Sequence, residues 1–256
     1  MSDTVQSIDR AFRILELLSE NPDGLGLLEI SHRTGLTKST VHRLLMTLQE
    51  NGMTKQLEPT GKYSLTMKLF VLGSRVVEKR EVLQVARPYL EKLRDISGEA
   101  VHLVIREGDE LVYVDKVESE NTIRMYSTIG RKGVLYATSV GKALLALSPQ
   151  EEVASYWNRT EVIAQTPQTI VDFPAFLREL ERIRQDGYAL DREENELGVK
   201  CVGAAIRDYT GKAVAAISVS GPAQRMTPKV LETIGGEVQK ITREISQEMG
   251  YSGHSR

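Results

Sequence analysis

The stretch Ile30-Ser31-His32-Arg33-Thr34-Gly35-Leu36-Thr37-Lys38-Ser39-Thr40-Val41-His42-Arg43-Leu44 decides how this chain is read. A short helix over Leu27–Arg33 runs into Gly35, and Thr37 is placed to cap the helix that follows. Two helices joined by a short turn containing Gly form a helix-turn-helix. On a helix turning by about 100° per residue, Val41, Leu44, Leu45 and Leu48 share one side and anchor it. Ser39, Arg43 and Met46 face the other way, flanked by Thr40, His42 and Thr47. From Ser31 to Gln49 the chain carries Arg33, Lys38 and Arg43 and no acidic residue, the local footprint of a surface that meets a polyanion. An Arg at position 43 reaches guanine O6 and N7 together, and Ser39 and Thr40 serve either kind of base. Lys38 suits a phosphate. The same polar face also fits a solvated surface helix, so spacing alone leaves both readings open.

Upstream, Ile8, Ala11, Phe12, Leu15 and Leu18 recur at helical spacing and predict a helix over Thr4–Ser19, ended by Asn21-Pro22-Asp23-Gly24. Downstream, Asn51-Gly52 stops the third helix. Met53–Leu57 and Lys62–Leu65 then predict a hairpin around Glu58-Pro59-Thr60-Gly61. Such a hairpin is a wing, with Lys55 and Lys62 available to phosphates. Residues 1–65 thus read as a winged helix-turn-helix that meets double-stranded DNA. Leu65–Glu91 reads as helix, with a change near Arg80–Val82 and a kink or interruption at Pro88. Residues 66–80 are the expected linker helix. Its stripe of Leu69, Leu72, Val76 and Val77 fits a dimer helix that spaces two DNA-reading heads, and equally the first helix of a second domain.

From Glu99 onward strands and helices alternate, so residues 81–256 are expected to form an α+β domain around a mainly antiparallel sheet. Strands are predicted at Ala100–Arg106, Glu110–Val117, Asn121–Ser127, Tyr188–Leu190, Cys201–Arg207 and Val214–Ser220. Helices are predicted at Ser139–Leu147, Gln150–Trp157, Asp172–Asp186 and Thr227–Met249. Thr138-Ser139-Val140-Gly141 precedes an apolar helix whose free amides suit a carboxylate. Ser218 and Ser220 lie two apart on a strand and therefore on one face. Asp191 follows a predicted strand end, a position where function concentrates. Equally, Ser139 would be a helix cap, the serines would bond backbone, and Asp191 would start a turn.

Composition bounds the rest. The 256 residues carry a net charge of −2 with 41% hydrophobic residues, which excludes a disordered chain. No apolar run approaches the roughly 18 residues of a membrane span. Met1-Ser2-Asp3-Thr4 lacks the basic start of a secretory signal. The single cysteine forbids an internal disulfide, and four scattered histidines give no zinc spacing. The expectation is a cytoplasmic protein with no cofactor, metal or membrane partner. Cys201 with His102 or Asp191 would suggest a thiol nucleophile, but it lies in an apolar strand pattern, where cysteine is inert. No phosphate loop or nucleophile elbow is present, so an enzyme is not expected.

The chain resembles the IclR family of bacterial transcriptional regulators along nearly its full length. The resemblance rests on the helix-turn-helix stretch quoted above and on Tyr63-Ser64-Leu65, Gly141-Lys142-Ala143-Leu144-Leu145-Ala146 and Gly187-Tyr188. It continues in Glu196-Leu197-Gly198-Val199-Lys200-Cys201-Val202 and Ile217-Ser218-Val219-Ser220-Gly221-Pro222. Ile123-Arg124-Met125-Tyr126-Ser127-Thr128-Ile129-Gly130-Arg131 and Gln247-Glu248-Met249-Gly250-Tyr251 are similar to the branch that regulates 2-keto-3-deoxygluconate and pectin-degradation genes. The family implies a winged helix, a linker helix and a profilin- or GAF-like effector domain. It also implies dimers, or pairs of dimers, on palindromic operators, and a small organic acid as effector. By that likeness the acid's carboxylate sits against the amides of Ser139 and Val140, with Asp191, Cys201, Ser218 and Ser220 lining the pocket and Met125 and Gly133 on its apolar wall. Relatives tuned to small keto acids carry Gly-Ala at the helix start. Here Ser139-Val140 keeps only the backbone grip, and the Ser139 hydroxyl suits a polyhydroxylated ligand. The expectation is a repressor. A glyoxylate-type or aromatic acid is the alternative effector, and an enzyme acting on a sugar acid is the alternative of a different class.

Overall fold

A computed structural model describes residues 5–77, 81–121 and 128–253. The chain divides into two compact units, Met1–Lys79 and Arg80–Arg256. In the first, helices α1 (Gln6–Ser19), α2 (Leu27–Thr34) and α3 (Lys38–Glu50) precede a hairpin of β1 (Thr54–Leu57) and β2 (Lys62–Leu65). Helix α4 (Lys68–Val77) follows. The apolar spacing seen in the sequence becomes a core of Ile14, Leu18, Ile30, Val41, Leu45 and Leu48, closed by Leu25 and Tyr63. Leu25 and Tyr63 exchange both backbone hydrogen bonds, which ties the loop after α1 to the wing. Gly24 sits at φ +73°, and a Cβ there would lie 2.7 Å from the Tyr63 carbonyl oxygen, so the crossing demands glycine. Gly35, at φ +70°, turns α2 into α3.

In the second unit, α5 (Glu81–Ser97) leads into β3 (Ala100–Glu107), β4 (Glu110–Val117) and β5 (Lys132–Val134). Helices α6 (Ser139–Ala146), α7 (Gln150–Arg159) and α8 (Phe173–Asp186) come next. The chain then forms β6 (Ala189–Arg192), β7 (Val199–Arg207), β8 (Ala213–Pro222) and α9 (Pro228–Glu248). The six strands make one antiparallel sheet in the order β5-β4-β3-β8-β7-β6. Because side chains alternate along a strand, Leu103, Ile105, Val202, Ala204, Ile217 and Val219 pack with α5 and α9 on one face. Val104 and Ala216 meet α6 and α8 on the other. The result is a three-layer α+β domain with helices on both faces.

Several local expectations change. Pro88 does not interrupt α5. Proline removes the bond to the carbonyl four residues back, but that carbonyl belongs to Gln84 on the exposed side of the helix, while Val82, Leu83, Ala86, Leu90 and Leu93 bury the opposite face. The short strand β5 has no counterpart in the sequence reading. The strand expected at Asn121–Ser127 lies, apart from Asn121, outside the described residues, as does Met125. No helix among the described residues is long and apolar enough to cross a membrane.

Candidate functional site

Thr37 caps α3, its Oγ1 accepting from the Thr40 amide at 3.4 Å. The same hydroxyl shares hydrogen bonds with Ser39 Oγ at 3.1 Å and Thr40 Oγ1 at 2.9 Å. The start of α3 is therefore a cluster of three hydroxyls, with Thr40 half-buried and Ser39 exposed. Lys38, His42 and Arg43 are exposed on the same helix, and neither Lys38 nor Arg43 has a side-chain partner among the described residues. Arg33 differs: its guanidinium donates to Asn21 Oδ1 at 3.1 Å and lies 4.0 Å from Glu29. On the wing Lys55 is exposed and Lys62 half-buried.

The second site lies in the other unit, where α6 begins. Thr138, not Ser139, is the cap: its hydroxyl accepts from the Gly141 amide at 3.2 Å and donates to the Val134 carbonyl at 2.7 Å. Ser139 and Val140 are then the first two helical residues, whose amides have no acceptor within the helix. A Cβ on Gly141 would lie 2.3 Å from the Leu135 carbonyl oxygen, so glycine lets this helix start press onto the preceding segment. Gly203 of β7 does the same beneath it, where a Cβ would meet Ser139 Oγ at 3.1 Å.

Sheet register assembles the remaining groups. Asp191 of β6 is opposite Cys201 of β7, and Cys201 is opposite Ser220 of β8. Two residues along, Gly203 pairs with Ser218 and Ser218 with His102 of β3. Asp191 is thus inside a strand, not beyond its end as the sequence suggested. It also makes the turn contact, accepting on Oδ1 from the Glu194 amide at 2.7 Å and the Asn195 amide at 3.3 Å. These groups surround a cavity of about 60 Å³ that Gly133, Ser139, Val140, Asp191, Cys201, Ser218 and Ser220 line. Its wall also takes Thr138 of the helix start, and His102, Tyr113, Arg131, Lys132 and Asn195, which the sequence did not single out for this site.

Burial sets the electrostatics. It pushes the Asp191 carboxyl up to about 7, helped by the Glu194 charge and opposed by Lys142. Burial, reinforced by Lys116, lowers His102 to about 3, so this imidazole is neutral. Burial raises the Cys201 thiol, with Asp191 adding to the effect, so it is no thiolate nucleophile. Behind the Asp191 turn lies a buried ion pair: Lys142 of α6 donates to both Glu194 oxygens, at 2.5 and 2.6 Å, and lies 3.5 Å from Glu179 of α8. The Glu194 carbonyl in turn accepts from Thr169 at 2.6 Å. The cavity's polar rim is held from three sides.

A helix-turn-helix with an open basic face, joined to a domain that encloses a small polar cavity, defines a DNA-binding transcriptional regulator. Residues 7–58 match the family described as IclR helix-turn-helix domain, and residues 74–247 match bacterial transcriptional regulator IclR C-terminal. The chain is 36% identical over 249 residues to the HTH-type transcriptional regulator KdgR of Escherichia coli, covering 97% of this chain and 94% of that one. It is 35% identical to the E. coli HTH-type transcriptional repressor AllR, covering 97% and 92%. The crystal structure of the Thermotoga maritima IclR superposes with a TM-score of 0.83 at 36% identity, covering 96% and 99%. The protein belongs to the IclR family, and its relatives are regulators, not enzymes.

Proposed function

We propose that this protein is a cytoplasmic repressor that dimerises on a palindromic operator and is released by a small organic acid held over the Asp191–Cys201–Ser220 row. The observation that carries the effector half is the meeting of two open helix amides, at Ser139 and Val140, with that row in one small cavity. The amides take the carboxylate. Ser218, Ser220 and Asp191 take the hydroxyl or keto end. Arg43 reads a base edge, with Ser39, Thr40 and His42 beside it, and Lys38, Lys55 and Lys62 hold phosphates. Self-association is supported by α4, where Phe70, Val71 and Leu72 are exposed, Phe70 by 66%.

The family branch favours 2-keto-3-deoxygluconate as the acid. One observation favours a smaller one. About 10–15 Å³ of such space holds one water, so 60 Å³ suits a glyoxylate-sized molecule. Calorimetry on the full chain with both acids, beside operator binding by fluorescence anisotropy, tests the reading. One acid is expected to bind the wild type and release operator, and Asp191→Ala to weaken it several-fold through one lost buried hydrogen bond, leaving operator affinity intact. Unchanged acid affinity in that variant removes Asp191 from the site.

A further inference from the structure

The effector domain carries a second recess, of about 360 Å³, that shares no lining residue with the cavity above. It lies where the last turns of α6 and α8 meet the end of β7 and the C-terminal half of α9. Arg184, Arg207 and Arg243 line it, and among the described residues no carboxylate does. Arg184 is engaged, donating to the Ala146 carbonyl at 2.6 Å and pairing with Glu181 at 2.9 Å. Its donation caps the carbonyl end of α6, where an anion would otherwise be repelled.

Among the described residues the other two guanidinium groups have no counter-charge. Arg207 is half-buried; it donates to the Tyr251 hydroxyl at 3.2 Å and lies over that ring, 5.2 Å from its centroid. Both contacts are neutral. The Arg243 side chain has no hydrogen bond or ion pair among the described residues. Two guanidinium groups without a counter-charge at one recess attract an anion, and their planar forks match phosphate and carboxylate oxygens. Ala143, Leu147 and Ala205 in the lining accommodate a carbon skeleton, and Gln239, Thr242 and Ser246 offer it polar groups. The volume is that of a metabolite site.

We propose that this recess is a second ligand site, for a small phosphorylated organic acid, separate from the effector cavity. Helix α6 begins at one site and ends at the other.

Calorimetry on the full-length protein with 3-phosphoglycerate as probe, and with inorganic phosphate and citrate beside it, tests this. The probe is expected to bind saturably and more tightly than citrate. Arg243→Gln should weaken it about tenfold, the effect of one charge-assisted contact. The Arg243 side chain is exposed and has no hydrogen bond or ion pair among the described residues, so that variant should fold and bind operator as the wild type does, even if Arg207→Gln proves unstable. Asp191→Ala should bind the probe normally. Absence of saturable heat up to on the order of 10 mM, far beyond useful affinity, would overturn the proposal. So would an unchanged affinity in Arg243→Gln, or a loss in Asp191→Ala, which would move the anion to the effector cavity. Citrate binding as tightly as the probe would overturn the phosphate assignment.

Discussion

On α3 of the N-terminal unit, Lys38 and Arg43 stand exposed with no side-chain partner among the described residues, whereas Lys142 of α6 is fully buried and held by Glu194 at 2.5 Å. Lys142 and the cations of α3 serve opposite ends. A polyanion is bound by releasing counter-ions, so the cations that meet it must be open to solvent and free of internal partners. The cavity of the C-terminal unit offers a small acid backbone amides beside the exposed Arg131 and Lys132, whereas the fully buried Lys142 must first be balanced within the protein. In this chain the buried Lys142 holds the frame, and the cations open to solvent are the ones available to an anion.

The largest expected effect breaks the frame. Lys142→Met leaves Glu194 buried without its cation, while Glu179 keeps Arg182 at 2.7 Å and Arg192 at 3.9 Å. Removing one partner of a buried pair costs about 3–5 kcal/mol, so the urea transition of the C-terminal unit should move to markedly lower concentration. Adding Glu194→Leu should recover much of the loss, since an apolar pair replaces the ionic one without stranding a charge. If Lys142→Met unfolds within about 1 kcal/mol of the wild type, as exposed pairs do, water reaches the cluster and the contrast between the units fails.

Legibility divides along the same line. The reading helix was visible because its signals are local: a Thr37 cap, a Gly35 turn and an apolar side repeating every three to four residues. Ser218 and Ser220 announced one shared face for the same reason. The cavity as a whole was not visible in the residues, because it depends on register between strands distant in the chain. His102 reaches Ser218 only through the β3–β8 pairing. Asp191 looked like a loop residue because Asp and the Glu193-Glu194 run read as a turn, although the ladder extends through Arg192. The buried ion pair did leave a trace: a lone lysine in Val140-Gly141-Lys142-Ala143-Leu144-Leu145 is out of place in an apolar helix and calls for an acidic partner.

A second test sharpens the comparison through pH. Burial holds Asp191 protonated up to about 7, against 3.8 for the ordinary group. Between those values the folded protein keeps a proton that the unfolded chain releases. The stability this contributes is complete below about pH 4 and is lost as pH rises through 7. Asp191→Asn is neutral throughout and keeps an oxygen for the Glu194 and Asn195 amides. Denaturation at pH 5 and pH 8 should therefore show the variant gaining on the wild type as pH rises, by at most on the order of a few kcal/mol. A difference that stays constant with pH would mean that Asp191 is ionised in the fold.

The smallest effect belongs to the open surface. Lys38 is the first residue of α3, beside helix amides that also favour a phosphate. A phosphate contact carries no sequence information. Lys38→Ala should therefore weaken binding to the operator and to a scrambled duplex by the same factor. The slope of log affinity against log salt should become shallower by about 0.9, the share of one phosphate. Arg43→Ala has the complementary signature, a loss of roughly 1–3 kcal/mol on the operator with little change on the scrambled duplex. Fluorescence anisotropy across a salt series, on both duplexes and both variants, separates the two. If Lys38→Ala instead spares the scrambled duplex, Lys38 reads a base, and the division of α3 into a phosphate-holding start and a base-reading face is wrong.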